Sequence, residues 1–153
     1  GAMAMRKTTI LDLGRMKADG QKIVMITAYD ALFARIFDDA GVDVILVGDS
    51  LGMVVLGHAD TLNVTMEDMV RHTEAAARGR KRAFLAADMP FLSYQAGPSD
   101  AIRNAGRLLQ AGAEAVKLEG GRNAAGTIRA IASADIPFRR PLCARKPRTV
   151  MSA

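Results

Sequence analysis

The chain has no tryptophan and a single cysteine among its 153 residues. A lone Cys143 excludes an intrachain disulfide framework and a cysteine metal cluster. Long apolar runs are also missing. Nothing approaches the roughly 20 consecutive apolar residues of a membrane span, so no membrane partner is expected. No stretch near the start has the charged and apolar regions of a secretory signal, and a cytoplasmic protein is the default expectation. Gly1-Ala2-Met3 reads as the remnant of a cleaved tag and is set aside. Finally, no GxGxxG follows the first predicted strand, which counts against a dinucleotide-binding fold.

What is present is a globular composition, 50% hydrophobic and 24% charged, with enough apolar material for one packed domain. The formal net charge of +5 suggests nucleic acid until it is located. Residues 138–153 contain Arg139, Arg140, Arg145, Lys146 and Arg148 and no acid; the rest of the chain is balanced. The excess belongs to the tail, which has no interleaved aromatics and matches no nucleic-acid module, so no nucleic-acid partner is expected.

Apolar runs and helical periods alternate along residues 4–137. Ile23–Thr27 is predicted as a buried strand. Asp30 is the expected N-cap of a helix over Ala31–Ala40, whose Leu32, Phe33, Ile36 and Phe37 share one face, with Gly41 ending it. Val42–Val47 is the next strand, followed by a long loop to Asn63. Thr65–Arg78 forms a helix with first-turn acids. Then come a strand at Ala83–Ala87, a helix capped by Ser99 and closed at Ala111-Gly112, a strand at Ala115–Leu118 and a helix over Asn123–Ser133. Ile136-Pro137 is expected to open another strand. Four βα units and the start of a fifth predict a parallel α/β sheet covered by helices. A doubly wound sheet and a (β/α)8 TIM barrel both fit. A complete barrel takes about 250 residues, so the chain would supply about half.

Active sites of parallel α/β folds lie at the carboxyl ends of the strands. Those ends carry Tyr29 and Asp30, Asp49 and Ser50, Asp88, and Glu119. Lys117 stands two residues before Glu119 and so faces the same side of its strand. Any one of these acids alone reads most simply as a turn or cap residue. However, neither Asp49 nor Asp88 is expected to precede a helix directly, and three acids at one end of a sheet repel each other unless a cation compensates. All-oxygen donors favour Mg²⁺ or a similar hard ion, which keeps waters and leaves room for substrate oxygens. A 2-oxo acid would suit such an ion through its carboxylate and ketone, with Lys117 on the carboxylate. His58, in the loop after Asp49, is a weaker candidate. His72 is expected to pack or face solvent, and the nine methionines to fill core.

Several strings occur together and in order: TAYDALFARIFDDAGVDVILVGDSLGMVVLGH, TLNVTMEDMVRHTEAAARG, LAADMPFLSY and GAEAVKLEGG. Over about Thr8 to Pro137 the chain resembles the ketopantoate hydroxymethyltransferase (3-methyl-2-oxobutanoate hydroxymethyltransferase) family. The resemblance implies a (β/α)8 barrel and a step of pantothenate biosynthesis. In that step a hydroxymethyl group passes from 5,10-methylenetetrahydrofolate to 3-methyl-2-oxobutanoate, giving 2-dehydropantoate. It implies Mg²⁺ as cofactor, with Asp49 and Asp88 as ligands that also meet substrate and Glu119 as the third acid, direct or through water. Ser50 and Lys117 match substrate-binding residues. Partners would be the 2-oxo acid, folate and further copies of the chain, since bacterial members are typically decamers.

The likeness stops after Ile136-Pro137. The family continues with a glycine-histidine-leucine-glycine-leucine segment and a later glutamate that serves as general base, and neither is found here. Residues 138–153 are therefore expected to be an atypical basic tail, disordered or out of frame, and the chain by itself to turn over little. Two alternatives remain at this point: an enolate-handling Mg²⁺ barrel of the phosphoenolpyruvate mutase and isocitrate lyase kind, and an inactive half-barrel acting as an interaction module.

Overall fold

The structure, a computed structural model, describes residues 6–120 and 124–136. Its strands are β1 (Met25–Thr27), β2 (Val44–Val47), β3 (Phe84–Asp88) and β4 (Ala115–Lys117). Its helices are α1 (Ile10–Ala18), α2 (Ala31–Asp39), α3 (Leu51–Val54), α4 (Met66–Gly79), α5 (Pro98–Gln110) and α6 (Ala125–Ser133). Every strand pairing is parallel, in the sheet order β1-β2-β3-β4.

That order decides between the two predicted architectures. A doubly wound sheet reverses direction at a switch point and places crossover helices on both faces. Here each strand adds beside the previous one without reversal, as in a barrel wall. Helices α2, α4, α5 and α6 pack on one face, α2 against α4 and α5 against α6. The core on that side holds Ile45 and Val47 of β2, Leu85 and Ala87 of β3 and Val116 of β4. The alternate strand residues, Val44, Leu46, Phe84, Ala86 and Ala115, form a second cluster around Leu13 of α1. Period-two alternation thus assigns each strand side chain to one of two cores.

Helix α1 was not expected from the sequence. It begins with a capping box, in which Thr9 and Asp12 each bond the other's backbone N–H and so satisfy orphan donors of the first turn. Just before it, the Thr8 N–H donates to the Arg82 carbonyl at 2.8 Å, tying α1 to the amino end of β3. At that same end, Asp38 is 2% exposed and accepts the backbone N–H groups of Lys81, Arg82 and Ala83. Glu114 accepts the Leu85 N–H at 3.0 Å and pairs with Arg80 at 2.8 Å.

Several expected boundaries move. Ser99 does not cap α5: Gly97 is the N-cap, Pro98 follows as a first-turn residue, and proline suits that turn because its missing N–H has no partner there anyway. Strand β3 runs one residue further than expected, so Asp88 is its last paired residue rather than part of the turn after it. The long loop after Asp49 contains α3, with Ser50 as its N-cap, so Ser50 separates Asp49 from a short helix. The expected strand from Ile136-Pro137 falls at and beyond the last described residue. The tail 138–153 and Asn123, the expected start of α6, lie outside the described residues. No helix among the described residues is long and apolar enough to cross a membrane.

Candidate active site

The parallel register brings the strand-end groups together. Asp88 is paired with Lys117 across β3 and β4. Both alternate with Ala86 and Ala115, so they emerge on the α1 side of the sheet at its carboxyl end. Their side chains meet, with Lys117 Nζ 2.8 Å from Asp88 Oδ1 and 3.9 Å from Glu119 Oε1. Asp88 Oδ2 accepts the Asp49 N–H at 3.2 Å. Asp88 Oδ1 is buried, and the Lys117 ammonium is its ion-pair partner.

Gly48 makes this approach feasible. It sits one residue beyond β2, next to Asp88. A Cβ there would stand 2.9 Å from Ser50 Oγ, 3.5 Å from Asp88 Oδ2 and 3.6 Å from Thr27 Cγ2. A side chain would therefore displace Ser50 Oγ and stand in ordinary contact with the other two. Ser50 Oγ lies 2.8 Å from the Tyr29 hydroxyl. The Tyr29 carbonyl in turn accepts from His72 Nδ1 at 2.6 Å. His72 therefore joins α4 to the end of β1, a packing role as expected. Asp30 caps α2 through Phe33 N–H, also as expected.

Asp49, Asp88, Lys117 and Glu119 line one cleft of about 170 Å³. Its other walls come from Thr61 and Leu62, before α4, and from Met89, Phe91, Tyr94 and Gln95, between β3 and α5. Ser50 is not among the lining residues and stands across Gly48 from Asp88. His58 does not line the cleft either; its backbone N–H folds back onto the Gly52 carbonyl at 2.8 Å. Tyr94 was missed by sequence reasoning. Its hydroxyl donates to the Glu119 carbonyl at 2.5 Å, joining the loop after β3 to the end of β4. The available signal was that Tyr94, one of only two tyrosines, closes the string LAADMPFLSY.

The cleft is electrostatically tense. Burial, and next the Asp88 carboxylate, push the Asp49 carboxyl above its usual range. Burial also pushes Asp88 up, by more than Lys117 pulls it down. For Lys117, burial acts to lower the ammonium's value, but Asp88, Glu119 and Asp49 outweigh it and hold the lysine charged. Tyr94 is pushed up by burial and by Glu119, so its phenol stays neutral. Among the described residues, no three acid, histidine or cysteine side chains converge as a ready-made metal cluster. A carboxylate pair with a lysine on its buried oxygen, and an exposed acid beside that lysine, is what this end of the sheet presents.

A wall of parallel βα units is the architecture that the chain shares with solved barrel enzymes. The chain superposes on 2,3-dimethylmalate lyase, a phosphoenolpyruvate mutase/isocitrate lyase superfamily member, with a TM-score of 0.64 and 22% identity, over 84% of this chain and 50% of that one. It superposes on phosphonopyruvate hydrolase, solved with oxalate and Mg²⁺, with a TM-score of 0.63 and 18% identity, over 80% of this chain and 46% of that one. At such identities the likeness concerns the fold alone. The sequence is more specific: the model of the ketopantoate hydroxymethyltransferase family matches residues 7–140, and the chain belongs to that family. It is 59% identical over 131 residues to 3-methyl-2-oxobutanoate hydroxymethyltransferase of Hyperthermus butylicus, covering 86% of this chain and 46% of the relative. The enzyme of the same name from Geobacter metallireducens is 56% identical over 133 residues, covering 86% and 50%. The chain thus spans about half the length of the curated relatives it matches.

Proposed function

We propose that this chain carries the metal- and substrate-binding part of a 3-methyl-2-oxobutanoate hydroxymethyltransferase. In the proposed reaction a hydroxymethyl group passes from 5,10-methylenetetrahydrofolate to C3 of 3-methyl-2-oxobutanoate, giving 2-dehydropantoate. The observation that carries this reading is the Asp88–Lys117 pair beside Asp49 in one cleft, in a chain of this family.

The donor set suits Mg²⁺, which binds through one or two carboxylates and keeps several waters. Asp88 offers a buried Oδ1 that the Lys117 ammonium now holds, and Asp49 a second carboxylate in the same cleft. The Glu119 side chain is 85% exposed, and in this reading it acts on the ion through water. When bound, Mg²⁺ supplies Lewis acidity toward the ketone and carboxylate oxygens of a 2-oxo acid, favouring loss of the C3 proton.

The chain's own groups do the rest of the binding. Lys117 brings a positive charge to the substrate carboxylate. If the Tyr29 phenol donates to Ser50 Oγ, the serine proton is free for a substrate oxygen. Tyr94 ties the two walls of the cleft together. Removal of the C3 proton is assigned to none of the described residues. Folate as co-substrate, assembly into a homo-oligomer and a cytoplasmic location are part of the same reading and rest on the resemblance.

Titration calorimetry of the chain with 3-methyl-2-oxobutanoate tests this. Binding at millimolar levels or tighter is expected with Mg²⁺ and not with a chelator, and Asp88→Asn should abolish it. A folded chain that binds no 2-oxo acid with Mg²⁺ present would sink the reading and favour an interaction module.

A further inference from the structure

Lys117 is placed by the backbone. The register sets it opposite Asp88, and both side chains leave the same face of adjacent strands. Its ammonium stands 2.8 Å from Asp88 Oδ1, a buried carboxylate oxygen whose partner it is. The other oxygen is already committed to the Asp49 N–H. A divalent cation that enters between Asp49 and Asp88 and takes Oδ1 meets the ammonium that now faces that oxygen. Two cations cannot share one buried oxygen without strong repulsion.

Lysine has the means to leave. Its stem is flexible and its ammonium a compact point charge. The side chain is 26% exposed, and Oε1 of the exposed Glu119 lies 3.9 Å from the ammonium. Once displaced from Asp88, the ammonium remains within the cleft that would receive the substrate carboxylate. Without an entering cation, its departure would leave a buried carboxylate unpaired, which is costly.

We propose that Lys117 is an internal counter-cation that competes with the divalent ion for Asp88 Oδ1, and that the ion's arrival hands the ammonium to the anionic substrate. Metal binding then precedes 2-oxo acid binding, because the acid's own anchor is occupied until the metal arrives. This rests on the metal-site reading above and adds an order and a competitor to it.

The test is the affinity of the full 153-residue chain for Mn²⁺, read from the free-ion electron paramagnetic resonance signal at pH 8 and fixed ionic strength. Lys117→Gln removes the competitor, and its Mn²⁺ affinity should rise about tenfold. Lys117→Arg keeps the charge and should stay within about threefold of the parent. Equal or weaker binding by Lys117→Gln, with the parent binding normally, overturns the competition and leaves the metal site standing. No Mn²⁺ binding by any folded form overturns the metal site and the competition together. A measurement on the unsubstituted chain covers the case in which the glutamine variant does not fold. Saturation with diamagnetic Mg²⁺ should move the Lys117 Cε–Hε nuclear magnetic resonance signal, and 3-methyl-2-oxobutanoate should move it again. A signal unmoved by Mg²⁺ that does bind overturns the proposal.

Discussion

Asp38 and Asp88 are both nearly inaccessible, at 2% and 6% exposure, yet they stand at opposite ends of one sheet in opposite electrostatic states. At the amino end, burial alone would raise Asp38, but the backbone N–H groups of Ala83, Lys81 and Arg82 outweigh it and hold the carboxyl below its usual range. At the carboxyl end, Asp88 receives one N–H and the Lys117 ammonium, and burial wins. A fully solvated-by-backbone carboxylate is a structural tie. A carboxylate left partly unsatisfied has binding capacity to spare, and in parallel α/β folds that end of the strands is where chemistry is found.

The sharpest way to break this contrast is to remove the tie. Asp38→Ala strands buried N–H groups and should cost about 3 kcal/mol or more, seen as a lowered urea midpoint at unchanged slope. Asp88→Asn should do the reverse: stability within about 1 kcal/mol of the parent, with Mg²⁺-dependent 2-oxo acid binding lost in calorimetry. If Asp88→Asn proved as destabilising as Asp38→Ala, the two ends would not differ in kind.

The contrast also has a pH form. Asp38 has a folded-state value below its unfolded one of about 3.9, so it contributes stability above that value. The contribution is lost as pH falls through the lower, folded value. Denaturant midpoints measured downward from pH 5 should therefore fall more steeply for the parent than for Asp38→Asn. Parallel curves would contradict the assignment. The smallest effect is expected at Ser99, which lies in the first turn of α5 but is not its cap. Ser99→Ala should change stability by less than about 0.5 kcal/mol, whereas a loss of about 1 kcal/mol would restore it as a cap.

Much of this was legible in the chain. The apolar runs of β2 and β3 and the period of α2 and α4 appear within a residue or two of their expected places, because buried parallel strands and amphipathic helices each leave a strong pattern. Helix α1 was not seen: it is nine residues long, interrupted by Gly14, and buries only Leu13, so its period is too faint to register. Helix α3 is a four-residue turn without a side-chain cap bond, and VGDSLG reads locally as a loop. Tyr94 joined the site only through a bond between elements distant in sequence.

The residues alone determined that four βα units would form, that their carboxyl ends would carry Asp49, Asp88 and Glu119, and that Lys117 and Glu119 would share a face, since these follow from local periodicity. Tertiary structure decided which acid the lysine meets. Parallel register set Asp88 opposite Lys117, and the missing Cβ at Gly48 leaves room for Ser50 Oγ. Pairing between strands depends on how separate segments align and pack, which is not encoded at any one position of the chain.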